Sequence, residues 1–103
     1  GEKPDSKKLS FDLYKAGKTI EEIAQERSFV VSTIEGHLAH YVGTGELDIY
    51  SFITKENVNL ISEYFTQNKT TSLGDAKAYF GNKVTYSELI FVFKYLEYKG
   101  KHE

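Results

Sequence analysis

The chain has 103 residues, a length that fits one domain. It carries 13 Lys or Arg against 15 Asp or Glu, a formal net charge of −2. This balance excludes a strongly basic nucleic-acid binder, whose affinity depends on many cations facing phosphates. The absence of cysteine excludes disulfides and thiolate metal sites and suits a cytoplasmic protein. No apolar run reaches the roughly 18 residues that a membrane span requires.

From the polar start of the chain we expect no signal peptide. The lack of methionine indicates either a processed product or, as we favour, a piece of a larger protein. We expect residues 1–5 to be a linker, residues 6–100 a single helical domain and residues 101–103 a tail. A first helix over 6–16 would begin at Asp5 or Ser6, whose side chains can accept from free backbone N–H groups.

Two further helices follow with a connection of about four residues between them. Thr19 and Glu22 have the capping-box spacing, which predicts a short second helix that ends near Arg27. Ser32 can cap a third helix whose apolar positions extend to Val42, with glycines at its end.

The C-terminal half continues the helical pattern. Residues 46–51 alternate briefly and form either a short wing-like strand or an extended segment. Thr54 caps a fourth helix that ends near Asn68, and a fifth holds residues 73–80. The last element, residues 85–100, is rich in β-branched and aromatic residues, but the capping-box pair at its start favours a helix. This helix is apolar on nearly all sides, which predicts either the central core helix or a subunit contact.

The predicted fold is therefore all-α with about six helices. A helix-turn-helix, winged-helix-like in character, would occupy residues 19–42 and pack on a helical C-terminal half. Ala24 supplies the small residue where the two helices cross, and Phe29 can fill the corner between them. Gly36 indicates either close packing against the second helix, which we favour, or close approach to DNA. Many domains that bind no DNA share this spacing.

Residues 17–27 and 32–38 resemble a helix-turn-helix domain near the C-terminus of RecQ-like DNA helicases. The resemblance implies a bacterial protein with a role in DNA repair. The similarity continues through residues 45–49 and 84–89, and so covers most of residues 6–98. Ile90 stands where that family tends to carry Arg. The resemblance implies a non-catalytic accessory domain that helps the parent helicase to grip or position DNA.

The proposed recognition helix, residues 32–42, contains no Lys, Arg, Asn or Gln, the side chains that usually read guanine and adenine. Contact with DNA should therefore be weak, salt-dependent and largely independent of sequence. The candidate DNA-binding residues are Lys15, Lys18, Arg27, Ser32, Thr33, His37 and His40. The two histidines could strengthen the contact at low pH.

Other interpretations stay open for some of these residues. Arg27 can complement its helix dipole or pair with Glu22 or Glu26 instead of a phosphate. His37 and His40 lie three residues apart, but no third ligand lies nearby in the sequence, so we expect no metal and no cofactor. The chain contains no phosphate loop and no catalytic arrangement, and we expect no enzymatic activity.

Two alternative functions belong to other classes. One is a protein-interaction module that keeps the helix-turn-helix shape while its acidic surface binds a partner. The other is a regulator similar to the LuxR type, which residues 33–38 resemble, with the last helix as its dimer interface. We expect a monomer that binds DNA and the rest of a parent helicase and that does not bind membranes.

Overall fold

The computed structural model describes residues 5–102 and contains six α-helices in this part of the chain. They are α1 (Ser6–Lys15), α2 (Ile20–Arg27), α3 (Val31–Gly43), α4 (Lys55–Asn68), α5 (Leu73–Phe80) and α6 (Tyr86–His102). No strand occurs between residues 5 and 102, so the all-α prediction is confirmed. The predicted linker, apart from Asp5, lies outside the described residues, as does Glu103. Residues 101 and 102 continue α6.

Side-chain caps fix four helix starts where the sequence predicts them. Asp5 accepts from two backbone N–H groups in the first turn of α1, and Thr54 accepts from one in α4. Thr19 forms the predicted capping box with Glu22, and Thr85 forms its counterpart with Glu88 at 2.9 and 3.1 Å. Because these bonds satisfy N–H groups that have no partner inside a helix, they define where each helix begins.

The start of α3 differs from the prediction. Ser32 does not cap this helix, because the N-cap residue is Val30 and Ser32 already lies inside the first turn. The chain turns earlier than its polar residues suggest, since Ser28 adopts a left-handed conformation with φ of 58° and ends α2 there. Val30 can then accept from the N–H groups of Thr33 and Ile34 and close the first turn of α3.

The prediction of a wing-like strand at residues 46–51 is wrong. This segment ends in a single 3-10 turn, Ile49–Ser51, whose start is capped by the Asp48 carboxylate accepting from the N–H of Tyr50 at 2.9 Å. Ile49 is 1% exposed and fixes the segment to the core.

Helices α3 and α6 lie against each other at the centre of the molecule. The first two helices pack on α3, and α4 and α5 pack on α6. Leu89, Phe91 and Val92 of α6 are buried in this core, which confirms that α6 is the central helix and leaves these side chains unavailable to a second copy. No helix within residues 5–102 is long and apolar enough to span a membrane.

Candidate nucleic-acid interface

The outer face of α3 carries a ridge of small or uncharged residues. Ser32, Gly36 and His40 follow one another at four-residue intervals, the spacing that places side chains in one row along a helix. Ser32 and His40 are exposed, whereas Ile34 and Leu38 on the opposite face are fully buried. The inner face of α3 therefore fixes the helix to the core, and the outer ridge faces solvent.

Gly36 lies open in the middle of this ridge. A Cβ atom added there would meet no other atom within 4 Å, so the interpretation that Gly36 allows close packing against α2 is wrong. A glycine inside a helix costs about 1 kcal/mol relative to alanine, and here no packing contact offsets that cost. The remaining interpretation, close approach of a bound molecule to the α3 backbone, agrees with this open position.

The corner between α2 and α3 is only partly filled. Ala24 is 5% exposed and occupies the crossing point as predicted, but Phe29 is 41% exposed, so its predicted role as a plug is wrong. Its ring packs under the Arg27 guanidinium, 4.9 Å from ring centre to Cζ, and meets the edge of the His37 ring at 5.9 Å.

Arg27 binds α1. Its Nη1 donates to the backbone oxygen of Ser6 and to Ser10 Oγ, both at 2.6 Å, and its Nη2 donates to Ser6 Oγ at 2.9 Å. The ion pair with Glu22 or Glu26 does not form in the part of the chain that the structure describes. Three of the five guanidinium donors are therefore used to hold α1 against α2.

His37 joins the same polar cluster from α3. Its Nδ1 lies 2.8 Å from Ser10 Oγ, and Ser10 is completely buried. Ser10 Oγ, which also accepts from Arg27, thus links the two side chains. Burial, followed by the nearby positive charges of Arg27 and Lys7, lowers the pKa of His37. His37 is therefore an uncharged structural partner of α1 at neutral pH.

The two predicted lysines remain accessible. Lys15 is exposed at the end of α1, with its Nζ 5.8 Å from the Phe11 ring centre. Lys18 Nζ lies 3.6 Å from Glu26 Oε1, and both side chains are more than two-fifths exposed. Exposed ion pairs of this kind contribute about 0–1 kcal/mol, so a phosphate could replace Glu26 at little cost.

A polar groove that the sequence did not reveal lies where the ridge ends. It has a volume of about 180 Å³, and its lining residues from the end of α3 and from α6 are His40, Gly43, Thr44, Lys94, Glu97 and Lys101. The sequence signal was the seven-residue spacing of Lys94 and Lys101 on one helix, but only the packing of α3 on α6 shows what they face. Among residues 5–102, no group of three or more His, Cys, Asp or Glu side chains is placed to hold a metal ion.

The fold and this face define a helix-turn-helix domain: two helices joined by a tight turn, with the second helix buried on one side and open on the other. The chain belongs to the helix-turn-helix domain family, whose family model matches residues 6–93. No curated protein and no solved structure matches the chain. Membership of this family indicates DNA binding as the broad class of function.

Proposed function

We propose that the chain is a non-catalytic accessory domain of a cytoplasmic RecQ-like helicase and that it contacts DNA weakly and largely independently of sequence. The observation that carries this proposal is the outer ridge of α3. It is open enough for close approach at Gly36, yet Ser32 and His40 are the only side chains along it. Base recognition usually requires Arg, Lys, Asn or Gln, and α3 has none of these.

Contacts to the sugar-phosphate backbone fit this face better than contacts to bases. The first turn of α3 has no side-chain cap, and the N–H groups of Thr33 and Ile34 donate to Val30. The N–H groups of Val31 and Ser32, with the hydroxyls of Ser32 and Thr33, can therefore donate to phosphate oxygens. Lys15 and Lys18 add positive charge from the end of α1 and the loop that follows it. Arg27 and His37 support the domain from inside, because both are bound to α1. Weak contacts of this kind become useful when the rest of a helicase raises the local DNA concentration.

A titration of backbone amide NMR signals with forked DNA tests the proposal. At low salt we expect shifts at Lys18 and across residues 32–40, fading as the salt concentration rises to about 150 mM. If no signal moves at millimolar DNA and low salt, the chain does not bind DNA by itself and the proposal is overturned.

Variants at Gly36 test whether DNA contacts the outer ridge of α3. Gly36→Lys should strengthen binding severalfold and Gly36→Glu should weaken it by a similar factor, because each adds one charge at the centre of the face. Gly74 in α5 provides the matched control: it is also helical, it is exposed, and an added Cβ there would meet only Ser72 Oγ, at 3.9 Å. If the same substitutions at Gly74 change the affinity equally, the effect is one of net charge alone and α3 is not the contact.

One observation favours the alternative of a protein-interaction module. Phe29 and Val30 in the turn before α3 and Val31 at its first position are 41, 66 and 39% exposed, next to a helix that carries several acidic residues. A module of this kind should lose its partner on Val30→Ser while its affinity for DNA stays unchanged. The DNA-binding function is supported if two results are obtained together. Gly36→Glu must weaken DNA binding, and Val30→Ser must leave association with a helicase core unchanged.

A further inference from the structure

We infer that the groove between the end of α3 and α6 binds a backbone phosphate of DNA and so forms the second half of the contact surface. The inference rests on the proposed function and adds two residues, Lys94 and Lys101, that the proposed function does not use. The groove begins where the Ser32–Gly36–His40 ridge ends, because His40 belongs to both. A strand that follows the ridge from the start of α3 to its end therefore arrives at Lys94 and Lys101.

The charge of the groove suits an anion. Lys94 Nζ lies 3.4 Å from Glu97 Oε1, and this pair is exposed on both sides, at 40 and 45%. Lys101 is exposed and makes no hydrogen bond or ion pair with any residue that the structure describes. The positive charge of Lys94 neutralises the negative charge of Glu97, and the positive charge of Lys101 can therefore bind an anionic ligand. Residues 94–102 hold three lysines against one glutamate in a chain whose net charge is −2.

The shape of the groove is set by the core. An added Cβ at Gly43 would lie 3.4 Å from the Cβ of Lys94, so the two helices are already at van der Waals distance there. The volume of about 180 Å³ corresponds to roughly six water molecules at about 30 Å³ each, enough space for a phosphate group. Gly43 lines the groove from α3, and Lys94 and Lys101 line it from α6.

The experiment compares Lys94→Gln/Lys101→Gln with Lys55→Gln/Lys83→Gln, a control pair that removes two exposed lysines outside the groove. Affinity for forked DNA at low salt should fall about tenfold in the groove variant and about twofold or less in the control. The variant Lys94→Arg/Lys101→Arg should restore wild-type affinity, because it restores both charges. Thermal unfolding of all three variants confirms that they fold.

The outcomes separate this inference from the function it rests on. If the groove variant binds DNA as well as the control pair does, the groove is not part of the contact, whereas the proposed function stands. If the wild-type chain does not bind DNA, the proposed function fails and the inference fails with it. A parallel titration with polyglutamate distinguishes the ligand: shifts at Gly43 and Thr44 with polyglutamate and none with DNA would assign the groove to an acidic protein partner and overturn the inference.

Discussion

Arg27, Ser6, Ser10 and His37 form a hydrogen-bonded cluster where the first three helices meet. Ser10 is the one polar side chain that is fully buried in the described part of the chain, and it accepts from Arg27 and is hydrogen-bonded to His37. A buried hydroxyl without partners costs about 1–3 kcal/mol, so each member of the cluster depends on the others. This interdependence makes Arg27 a structural residue.

We expect Arg27→Ala to lower the free energy of unfolding by about 3 kcal/mol, because it removes three charge-assisted hydrogen bonds and leaves Ser10 without a donor. Urea denaturation of both proteins measures the difference. Lys18→Ala is the matched control, since it removes an exposed ion pair and should cost less than about 1 kcal/mol. Equal stability of the two variants would show that the cluster does not hold α1 in place.

The pH dependence of stability tests His37. Its pKa in the folded chain is lowered by burial and by the charges of Arg27 and Lys7, against a smaller opposing effect of Asp5. The unfolded state therefore binds a proton first as the pH falls, and stability decreases from about pH 7 downward, through the ordinary histidine pKa near 6.5. The contribution of His37 to the free energy of unfolding is complete above the ordinary histidine pKa. It is lost once the pH falls below the lowered pKa of His37 in the folded chain.

Urea denaturation at several pH values between about 7.5 and 5.5 follows this loss. His37→Gln should flatten the profile. An unchanged slope in the His37 variant would mean that another group causes the pH dependence.

Whether the first residue of a helix could be predicted depended on what fixes that residue, a side-chain cap or the backbone conformation of the preceding turn. Thr19, Thr54 and Thr85 allow the starts of their helices to be predicted from the sequence. Each threonine side chain accepts from a backbone N–H in the first turn, and threonine is a preferred residue at this N-cap position. The start of α3 depends on the left-handed conformation of Ser28, which no residue type in the turn signals. The sequence therefore predicted a cap at Ser32 that does not form.

Two substitutions compare a cap that forms with one that does not. Thr85→Ala should cost about 1 kcal/mol, because α6 loses half of its capping box. Ser32→Ala should change the stability by no more than about 0.5 kcal/mol, since the Ser32 side chain caps nothing and is exposed. Both values come from thermal or urea unfolding. A loss at Ser32 as large as that at Thr85 would contradict the start of α3 at Val31.

On the scale of the whole molecule, the fold was more predictable than the candidate site. Periodicity and caps lie within one helix, and they predicted all six helices, with α6 either at the centre of the core or at a subunit contact. The groove depends on Gly43 and Lys94, which are far apart in the sequence and meet only when α3 packs on α6. For the same reason the sequence assigned Arg27 and His37 to a DNA surface, because it contains no sign that Ser6 and Ser10 of another helix bind them.

The salt dependence of DNA binding tests the complete surface. The proposed contact uses Lys15 and Lys18 together with Lys94 and Lys101 of the groove, and it leaves out Arg27, three of whose five guanidinium donors are bound to α1. Four phosphate contacts on a duplex predict a slope of log Kobs against log salt concentration of about −3.6, and Lys94→Gln/Lys101→Gln should reduce it to about −1.8. Fluorescence anisotropy with forked DNA between about 50 and 200 mM salt measures both slopes. A slope near zero in the wild-type chain would show that phosphates do not contribute, and a slope of about −3.6 that persists in the double variant would place the cations elsewhere.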